Sequence, residues 1–275
     1  MNILKLQSIT KFNEDIYIMR IRPSYNDVLL NGGYKRIHIV DCSTGNVKKS
    51  YNFPDSVKDF AIHKWVTSPD GNKSYLFTND NYDNENYSIE VNHLKGISRK
   101  IRMPSIFDMH GEFYCFSNHL YLIGRGGNHL LLKDDSFIEY NGDLPIQPSI
   151  QKLENKIGPI SKYNIIKMDM NYNGFYIVGN RPLITGYVSL NGEEIITNID
   201  WEFIDISRNN DILYICYEHQ VVQIKKDESI VILEADPNEY FISINVLSKD
   251  NIIYLNVLSS ANDDPEISWL RTYYI

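Results

Sequence analysis

Short runs of alternating apolar and polar residues, separated by turns rich in Gly, Asn and Asp, occupy most of the chain. The clearest run is Ile212–Cys216, which follows the turn Asn209-Asn210-Asp211. Alternation with a period of two, bounded by such turns, is typical of β-strands that bury one face. The pattern therefore predicts an all-β protein.

One version of this run recurs along the chain. A tyrosine with apolar neighbours follows a turn of this kind at Tyr75, Tyr121, Tyr176, Tyr214 and Tyr254. The successive intervals are 46, 55, 38 and 40 residues. A period near 40 with several short strands in each repeat is typical of β-propeller blades.

The predicted strands group into five complete blades of four strands and a sixth blade with only three, at residues 240–247, 252–258 and 267–275. Residues 2–12 form a spare strand, and pairing it outside residues 267–275 completes the sixth blade and removes two exposed edges. We therefore expect a six-bladed β-propeller, closed by the N-terminal strand completing the last blade, as a single domain of residues 1–275. The long interval corresponds to an insertion at about 141–162, where Ser149 and Gly158 have the residue types that begin and end a short helix.

Two stretches resemble the repeat of YVTN- and TolB-type propellers. Residues 68–79, with the sequence Ser-Pro-Asp-Gly-Asn-Lys-Ser-Tyr-Leu-Phe-Thr-Asn, resemble its turn and second strand. Residues 37–47, with the sequence Ile-His-Ile-Val-Asp-Cys-Ser-Thr-Gly-Asn-Val, resemble its third strand and Thr-Gly hairpin. The resemblance implies the fold alone, because such propellers serve as enzymes, scaffolds and partner-binding proteins.

The charge balance bears on the partner. The chain has 27 basic and 35 acidic residues and a net charge of −8. Proteins that bind phosphate backbones usually carry a net positive charge, so a basic protein partner is expected rather than a nucleic acid.

No secretion signal or run of about 18 apolar residues is present, so we expect a cytoplasmic protein without a membrane partner. Cys42, Cys115 and Cys216 lack disulfide or metal spacing and are predicted to be buried apolar residues.

The sequence contains no Gly-x-Ser-x-Gly elbow, P-loop or dinucleotide fingerprint. Propellers can gather metal ligands near their axis, as calcium- or zinc-dependent lactonases do, and a metal-dependent hydrolase is our leading alternative. Such a site would draw on residues in or near the first strands of the blades: Asp59, His63, Asp108, His110, Asp169 and Asp205. Solvated channel lining explains the same residues, and we predict neither a metal nor a cofactor.

Acidic loops form the candidate site. In propellers the loops between second and third strands share a face with the connections between blades, and three acidic stretches would meet there, at residues 79–86, 236–239 and 262–266. The predicted partner-binding residues are Asp80, Tyr82, Asp83, Glu85, Asp236, Glu239, Asp263, Asp264 and Glu266. Ordinary solvated loops would show the same composition, but Trp201, Tyr240 and Trp269 at the loop margins favour an interface.

We therefore interpret the chain as a monomeric, non-catalytic protein-binding module. Its acidic balance, single domain and lack of catalytic motifs are similar in character to those of propeller-type immunity proteins of bacterial toxin systems. This likeness implies that the partner is a basic toxin domain, for example a nuclease. A scaffold protein is the remaining alternative.

Overall fold

The computed structural model describes the chain in segments. They are residues 4–13, 21–24, 27–32, 36–52, 62–68, 72–79, 86–92, 95–104, 112–116, 119–123, 128–144, 151, 155, 163–168, 174–180, 183–189, 194–197, 203–225, 228–264 and 266–275. Within these segments the strands form six antiparallel sheets of four strands each. The chain divides into two compact units, one of residues 1–53 with 202–275 and one of residues 54–201.

The first unit contains three sheets. Sheet I has β2 (Ile21–Ser24), β3 (Asp27–Gly32), β4 (Arg36–Asp41) and β5 (Val47–Asn52). Sheet V has β18 (Asp205–Asn209), β19 (Ile212–Cys216), β20 (Gln220–Lys225) and β21 (Glu228–Glu234). Sheet VI has β22 (Glu239–Lys249), β23 (Ile252–Ala261) and β24 (Ile267–Tyr274), together with β1 (Lys5–Asn13).

The second unit contains the other three sheets. Sheet II has β6 (Ile62–Thr67), β7 (Lys73–Asn79), β8 (Asn86–Asn92) and β9 (Ile97–Arg102). Sheet III has β10 (Glu112–Phe116), β11 (His119–Ile123), β12 (His129–Lys133) and β13 (Ser136–Tyr140). Sheet IV has β14 (Tyr163–Met168), β15 (Gly174–Asn180), β16 (Leu183–Ser189) and β17 (Glu194–Thr197).

Five of the six sheets are simple meanders in chain order, and sheet VI has the order β1-β24-β23-β22. β1 pairs with β24 from Lys5 opposite Tyr274 to Asn13 opposite Ile267, with one register shift between Leu6 and Ser8. The predicted pairing of the N-terminal strand with the last strand is therefore present.

Several turns have the backbone conformation that their residue types favour. Asp250 and Asn251, which join β22 to β23, have φ values of 52° and 63°. Two residues with positive φ match the twist of a tight hairpin, and Asn and Asp tolerate that conformation better than most residues. Gly45, between β4 and β5, has a φ of 71°. A Cβ there would lie 2.5 Å from Ser8 Oγ of β1, so the turn requires glycine for space as well as for conformation.

The recurring tyrosines lie in the second strand of their sheets, as predicted. Tyr75, Tyr121, Tyr176 and Tyr214 are buried, and Tyr254 is half-buried. In the first unit, Tyr214 packs in one apolar cluster with residues of sheets V and VI: Cys216, Val221, Phe241, Ile244, Val246, Leu255, Val257 and Tyr273. The core of this unit therefore lies between the faces of adjacent sheets.

The first strands of neighbouring sheets are joined by side chains. β22 lies at the edge of sheet VI, beside β18 of sheet V. The Asp205 carboxylate accepts hydrogen bonds from the Ser243 hydroxyl at 2.5 Å and from the Ile244 N–H at 3.1 Å. Ser207 Oγ accepts from the Val246 N–H at 3.0 Å. Alternate residues of β18 thus satisfy backbone donors that the edge of β22 would leave without a strand partner.

Other sequence predictions fall partly outside the described residues. In the insertion at 141–162, Gln151 and Asn155 have helical backbone, and most of the predicted helix lies outside the described segments. Cys42 and Cys216 are buried free thiols, as predicted. No helix among the described residues has the length and apolar content needed to cross a bilayer. The single-domain assignment stays a prediction.

Candidate protein-binding site

Three loops of the first unit lie together at one end of sheets V and VI. They are the β19–β20 turn at residues 217–219, the β21–β22 connection at 235–238 and the β23–β24 loop at 262–266. The Ala235 N–H donates to the His219 carbonyl at 2.9 Å, and the Asn262 N–H donates to the Asn238 carbonyl at 2.9 Å. The two predicted acidic stretches of this unit are therefore in direct contact.

Acidic side chains dominate this end of the two sheets. We use the name acidic end for seven residues: Glu218, Glu234, Asp236, Glu239, Asp263, Asp264 and Glu266. Six of the seven are exposed, and Glu239 is buried. Glu218 and Glu234 were missed by the sequence analysis. Their position follows from the meander, because the turn after β19 and the end of β21 reach the same edge as the other loops.

Glu239 holds the acidic end together through Arg271. Arg271 Nη1 lies 2.6 Å from Glu239 Oε2, and Arg271 Nη2 lies 2.7 Å from Glu239 Oε1. The two side chains therefore form a bidentate ion pair. The Ser259 hydroxyl donates to Glu239 Oε2 at 2.7 Å. Burial alone would lower the pKa of the Arg271 guanidinium, but the Glu239 carboxylate raises it above its usual value, so Arg271 remains charged.

Arg271 also reaches the loop surface. Its Nη2 atom donates to Asp236 Oδ2 at 3.1 Å, and its guanidinium lies over the Trp269 ring at 5.7 Å from the ring centre. The stacked and paired guanidinium fixes Trp269 and the 236–239 connection to one another. The side-chain alternation of β24 could have located Arg271 from the sequence, because it places residues 269, 271 and 273 on one face of the strand.

The 262–266 loop presents its carboxylates to solvent. Asp264 Oδ1 accepts from the Glu266 N–H at 3.0 Å, and the Asp264 carbonyl accepts from the Ile267 N–H at 3.0 Å. Asp264 therefore shapes the turn while it remains exposed. Asp263 and Glu266 are exposed beside it. Tyr240 and Trp269, in the strands next to these loops, are half-buried.

The remaining predicted partner-binding residues belong to the other compact unit. Asp80, Tyr82, Asp83 and Glu85 lie outside the described residues, as does Trp201. The convergence of all three acidic stretches therefore stays a prediction, whereas the contact between the 236–239 and 262–266 stretches is observed.

Asp205, a predicted ligand of the alternative metal site, uses its carboxylate to bind β22. The other five residues of that set are His63, whose side chain lies outside the described part of the chain, and Asp59, Asp108, His110 and Asp169, which lie outside it entirely. Among the described residues, no three His, Cys, Asp or Glu side chains converge in a group that could hold a metal ion.

A second cluster of charges, in the other unit, is balanced internally. The buried Glu90 accepts two hydrogen bonds of 3.1 Å from Arg99 and one of 3.4 Å from Lys73. Lys73 also lies 2.5 Å from Asp135 of sheet III, and this hydrogen bond lowers the pKa of the Asp135 carboxyl. Two cations thus neutralise two carboxylates and join sheets II and III. At the acidic end Arg271 pairs with two of seven carboxylates, so negative charge remains at the surface.

Sequence comparisons give no relative for the chain, because neither a protein-family model nor a curated protein matches it. A comparison of structures does find similar folds. One is the crystal structure of the β-propeller domain of Cps50 (Swd1) from Myceliophteria thermophila, which matches with a TM-score of 0.54 and 8% identity. The match covers 99% of each chain. At this identity the likeness concerns the fold alone, and it supports the assignment of the four-stranded sheets to a β-propeller.

Proposed function

We propose that this chain is a non-catalytic protein-binding module, and specifically an immunity protein that neutralises a basic bacterial toxin domain such as a nuclease. The observation that carries the proposal is the acidic end, where exposed carboxylates surround a rigid frame. A basic partner surface is attracted to such a region, and the attraction raises the rate of encounter.

The frame makes the acidic end suitable for tight binding. Glu239 and Arg271 are mostly buried, with side-chain exposures of 10% and 12%, and Arg271 also holds the Asp236 side chain of the β21–β22 connection. Loops that are ordered before binding lose less conformational entropy when a partner docks. Trp269 and Tyr240 add aromatic surface next to the charged rim, which is the residue type that contributes most at interfaces.

The wider architecture in this proposal is a six-bladed propeller, closed where β1 completes the last blade, and acting as one cytoplasmic, monomeric domain. Closure would bring Asp80, Tyr82, Asp83 and Glu85 to the same face as the acidic end. The net charge of −8 is consistent with a basic partner and with the absence of direct nucleic-acid binding.

The test is protection against a basic bacterial toxin domain, sought first among the genes that neighbour this one, and it is measured by pull-down and by growth of cells that express both proteins. Asp263, Asp264 and Glu266 are replaced together by Asn, Asn and Gln, and Asp80, Asp83 and Glu85 in the same way. We expect both triple variants to stay folded, because Asp263, Asp264 and Glu266 are exposed, the other three residues are predicted to lie in a surface loop, and surface substitutions usually shift stability by only about 0.5 kcal/mol. Both should bind more slowly and protect less.

A matched control removes three exposed carboxylates elsewhere, with Asp134→Asn, Glu139→Gln and Asp143→Asn in and after sheet III. This variant has the same change in net charge and should protect as well as the native protein. Raising the salt concentration should slow association of the native protein, because exposed charges more than about 10 Å apart are screened at 0.1 M. Full protection by both acidic-loop variants would place the binding surface elsewhere.

A further inference from the structure

β21 is an apolar strand at the outer edge of sheet V. Within the described segments it pairs with β20 alone. Its sequence, Glu-Ser-Ile-Val-Ile-Leu-Glu, places four apolar residues in succession between two glutamates. Ile230 and Val231 point to opposite faces and are 40% and 46% exposed. The strand therefore offers apolar surface on both of its faces.

The outer edge of such a strand is also a template for pairing. In an edge strand every second residue directs its N–H and C=O away from the sheet. Proteins usually protect these edges with charged residues inside the strand, with very short strands or with β-bulges. Within the described segments, the other outer strands have a charged residue inside them or are very short: β1 has Lys11, β5 has Lys48 and Lys49, β9 has Arg99 and Lys100, β13 has Glu139, and β17 has only four residues. β21 has charged residues only at its two ends, and its one bulge, at Ile232, leaves residues 228–231 in regular register with β20.

We propose that the β21 edge is the docking site for an extended segment of the basic partner, which adds to sheet V as a fifth strand. The proposal rests on the protein-binding function proposed above. Its occupant is an apolar strand flanked by Lys or Arg. Glu228 and Glu234 stand exposed at the two ends of β21, so they would meet those basic flanks.

Charge also favours this occupant over a second copy of the chain. Antiparallel pairing of two β21 strands centred on Val231 would place Glu228 opposite Glu234, and parallel pairing in register would place each glutamate opposite its own copy. Like charges directly opposite each other destabilise a strand pair. A segment with basic flanks replaces both repulsions by attractions.

The edge is continuous with the acidic end. Glu234 is the last residue of β21 and belongs to the acidic end, and Asp236 follows in the connection to β22. A partner strand lying along β21 would therefore lead its chain directly onto the exposed carboxylates. Main-chain hydrogen bonds at the edge supply affinity, while the charges at both ends set direction and specificity.

The probe for this edge is a blocked synthetic peptide, acetyl-KTVTVTK-amide, with acetyl-ETVTVTE-amide as its acidic counterpart. Binding to the full chain is measured by NMR titration, and backbone contact by amide hydrogen exchange. We expect the basic peptide to bind and to protect outward-facing amides of β21, because an added strand forms hydrogen bonds with them. The acidic peptide should bind about tenfold more weakly or not detectably, since its ends meet Glu228 and Glu234.

Two matched variants locate the binding. Val231→Lys places a charge in the middle of the edge and should weaken the basic peptide about tenfold. Ile138→Lys makes the same kind of change in β13, where the native side chain is 41% exposed, and should leave binding unchanged. Replacing Glu228 and Glu234 by Lys should exchange the preference, so that the acidic peptide binds better than the basic one.

Failure of the basic peptide to bind, equal losses in the two lysine variants, or self-association of the native chain in sedimentation would each overturn the proposal. The result is separable from the test of the immunity function, because the peptide experiment needs no toxin. If Val231→Lys affects neither peptide nor toxin binding while the acidic-loop variants lose protection, the edge proposal is wrong and the proposed function stands. If the peptide binds as expected but no toxin is neutralised, the edge proposal stands and the proposed immunity function is wrong.

Discussion

Asp205 shows how one side chain can take the place of a neighbouring strand. It is buried, with 6% of its surface exposed, and accepts hydrogen bonds from the Ser243 hydroxyl and the Ile244 N–H of the adjacent sheet. Replacing Asp205 by Ala leaves both donors buried without this acceptor, at a cost of about 1–3 kcal/mol each. We expect a free energy of unfolding lower by about 2–6 kcal/mol, measured by urea denaturation.

Ser207→Ala and Asp211→Ala are the controls for this substitution. Ser207 accepts a single hydrogen bond from Val246, so its loss should cost less than that of Asp205. Asp211 is an exposed carboxylate, and its removal should change stability by no more than about 0.5 kcal/mol. Equal effects of all three substitutions would contradict the role given to Asp205.

The Arg271–Glu239 pair leads to a second prediction at this scale. Arg271→Ala would leave the buried Glu239 carboxyl group without its cation, and breaking a buried ion pair costs about 3–5 kcal/mol. Asp236→Asn removes the other partner of the same arginine, but the Asp236 side chain is 69% exposed and its loss should be nearly neutral. Thermal melting of the two variants measures the contrast, and similar melting temperatures would show that the buried pair contributes little.

Residue types alone do not distinguish these carboxylates. In the sequence, Asp205, Asp236 and Glu239 are all acidic residues in or next to predicted strands, and Glu239 groups with the acidic loop residues. These carboxylates differ in their partners, because Glu239 pairs with Arg271 across the sheet and Asp205 accepts a hydrogen bond from the edge strand of another sheet. Neither contact can be predicted from the spacing of the residues along the chain.

At the scale of elements, the β4–β5 hairpin depends on Asp41. Burial alone would raise the pKa of the Asp41 carboxyl, but hydrogen bonds from Ser43, Lys249 and Lys48 lower it well below its usual range. Its oxygens lie 2.9 Å from the Ser43 N–H and 3.1 Å from each lysine Nζ. Lys249 comes from β22, so the carboxylate also joins sheet I to sheet VI.

The lowered pKa makes the contribution of Asp41 dependent on pH. Because its pKa is lower in the folded chain than in the unfolded one, the stabilisation is complete above the unfolded value of about 3.9 and declines as the pH falls below it. We expect the native protein to exceed Asp41→Asn in stability at pH 7, with a difference that shrinks between about pH 4 and pH 2. Urea denaturation at several pH values measures it, and a difference independent of pH would contradict the assignment.

Strands and turns were the elements that the sequence predicted best. Alternation identified β19, and the Asn- and Asp-rich turns that precede Tyr214 and Tyr254 are present, with positive φ at Asn210, Asp250 and Asn251. The register shift between Leu6 and Ser8 was not anticipated. Ser8, beside this shift, lies close to Gly45 of the β4–β5 turn in another sheet. Contacts between such distant parts of the chain leave no mark on the alternation pattern.

At the scale of the whole molecule, β1 joins the two ends of the chain in sheet VI. Deleting residues 2–12 would expose the edge of β24 and remove the hydrogen bond from Thr10 Oγ1 to the Gly45 carbonyl, which is 2.6 Å long. We expect a lower melting temperature and aggregation, measured by thermal unfolding and size-exclusion chromatography.

Leu6→Ser with Ile9→Ser is the control, because these side chains are 51% and 53% exposed and their loss leaves the backbone pairing intact. This variant should melt close to the native temperature. A truncated chain that stayed monomeric with an unchanged melting temperature would refute the importance of the pairing.

The pairing of β1 with β24 also fixes when sheet VI can be completed during protein synthesis. β24 is translated about 250 residues after β1, since Asn13 pairs with Ile267. At about 5–20 residues per second, the ribosome needs roughly 13–50 s to supply the partner strand. During that time β1 is a nascent strand with an open edge. The charges of Lys5 and Lys11 therefore matter before folding is complete, because they oppose pairing of the unpaired β1 with other nascent chains.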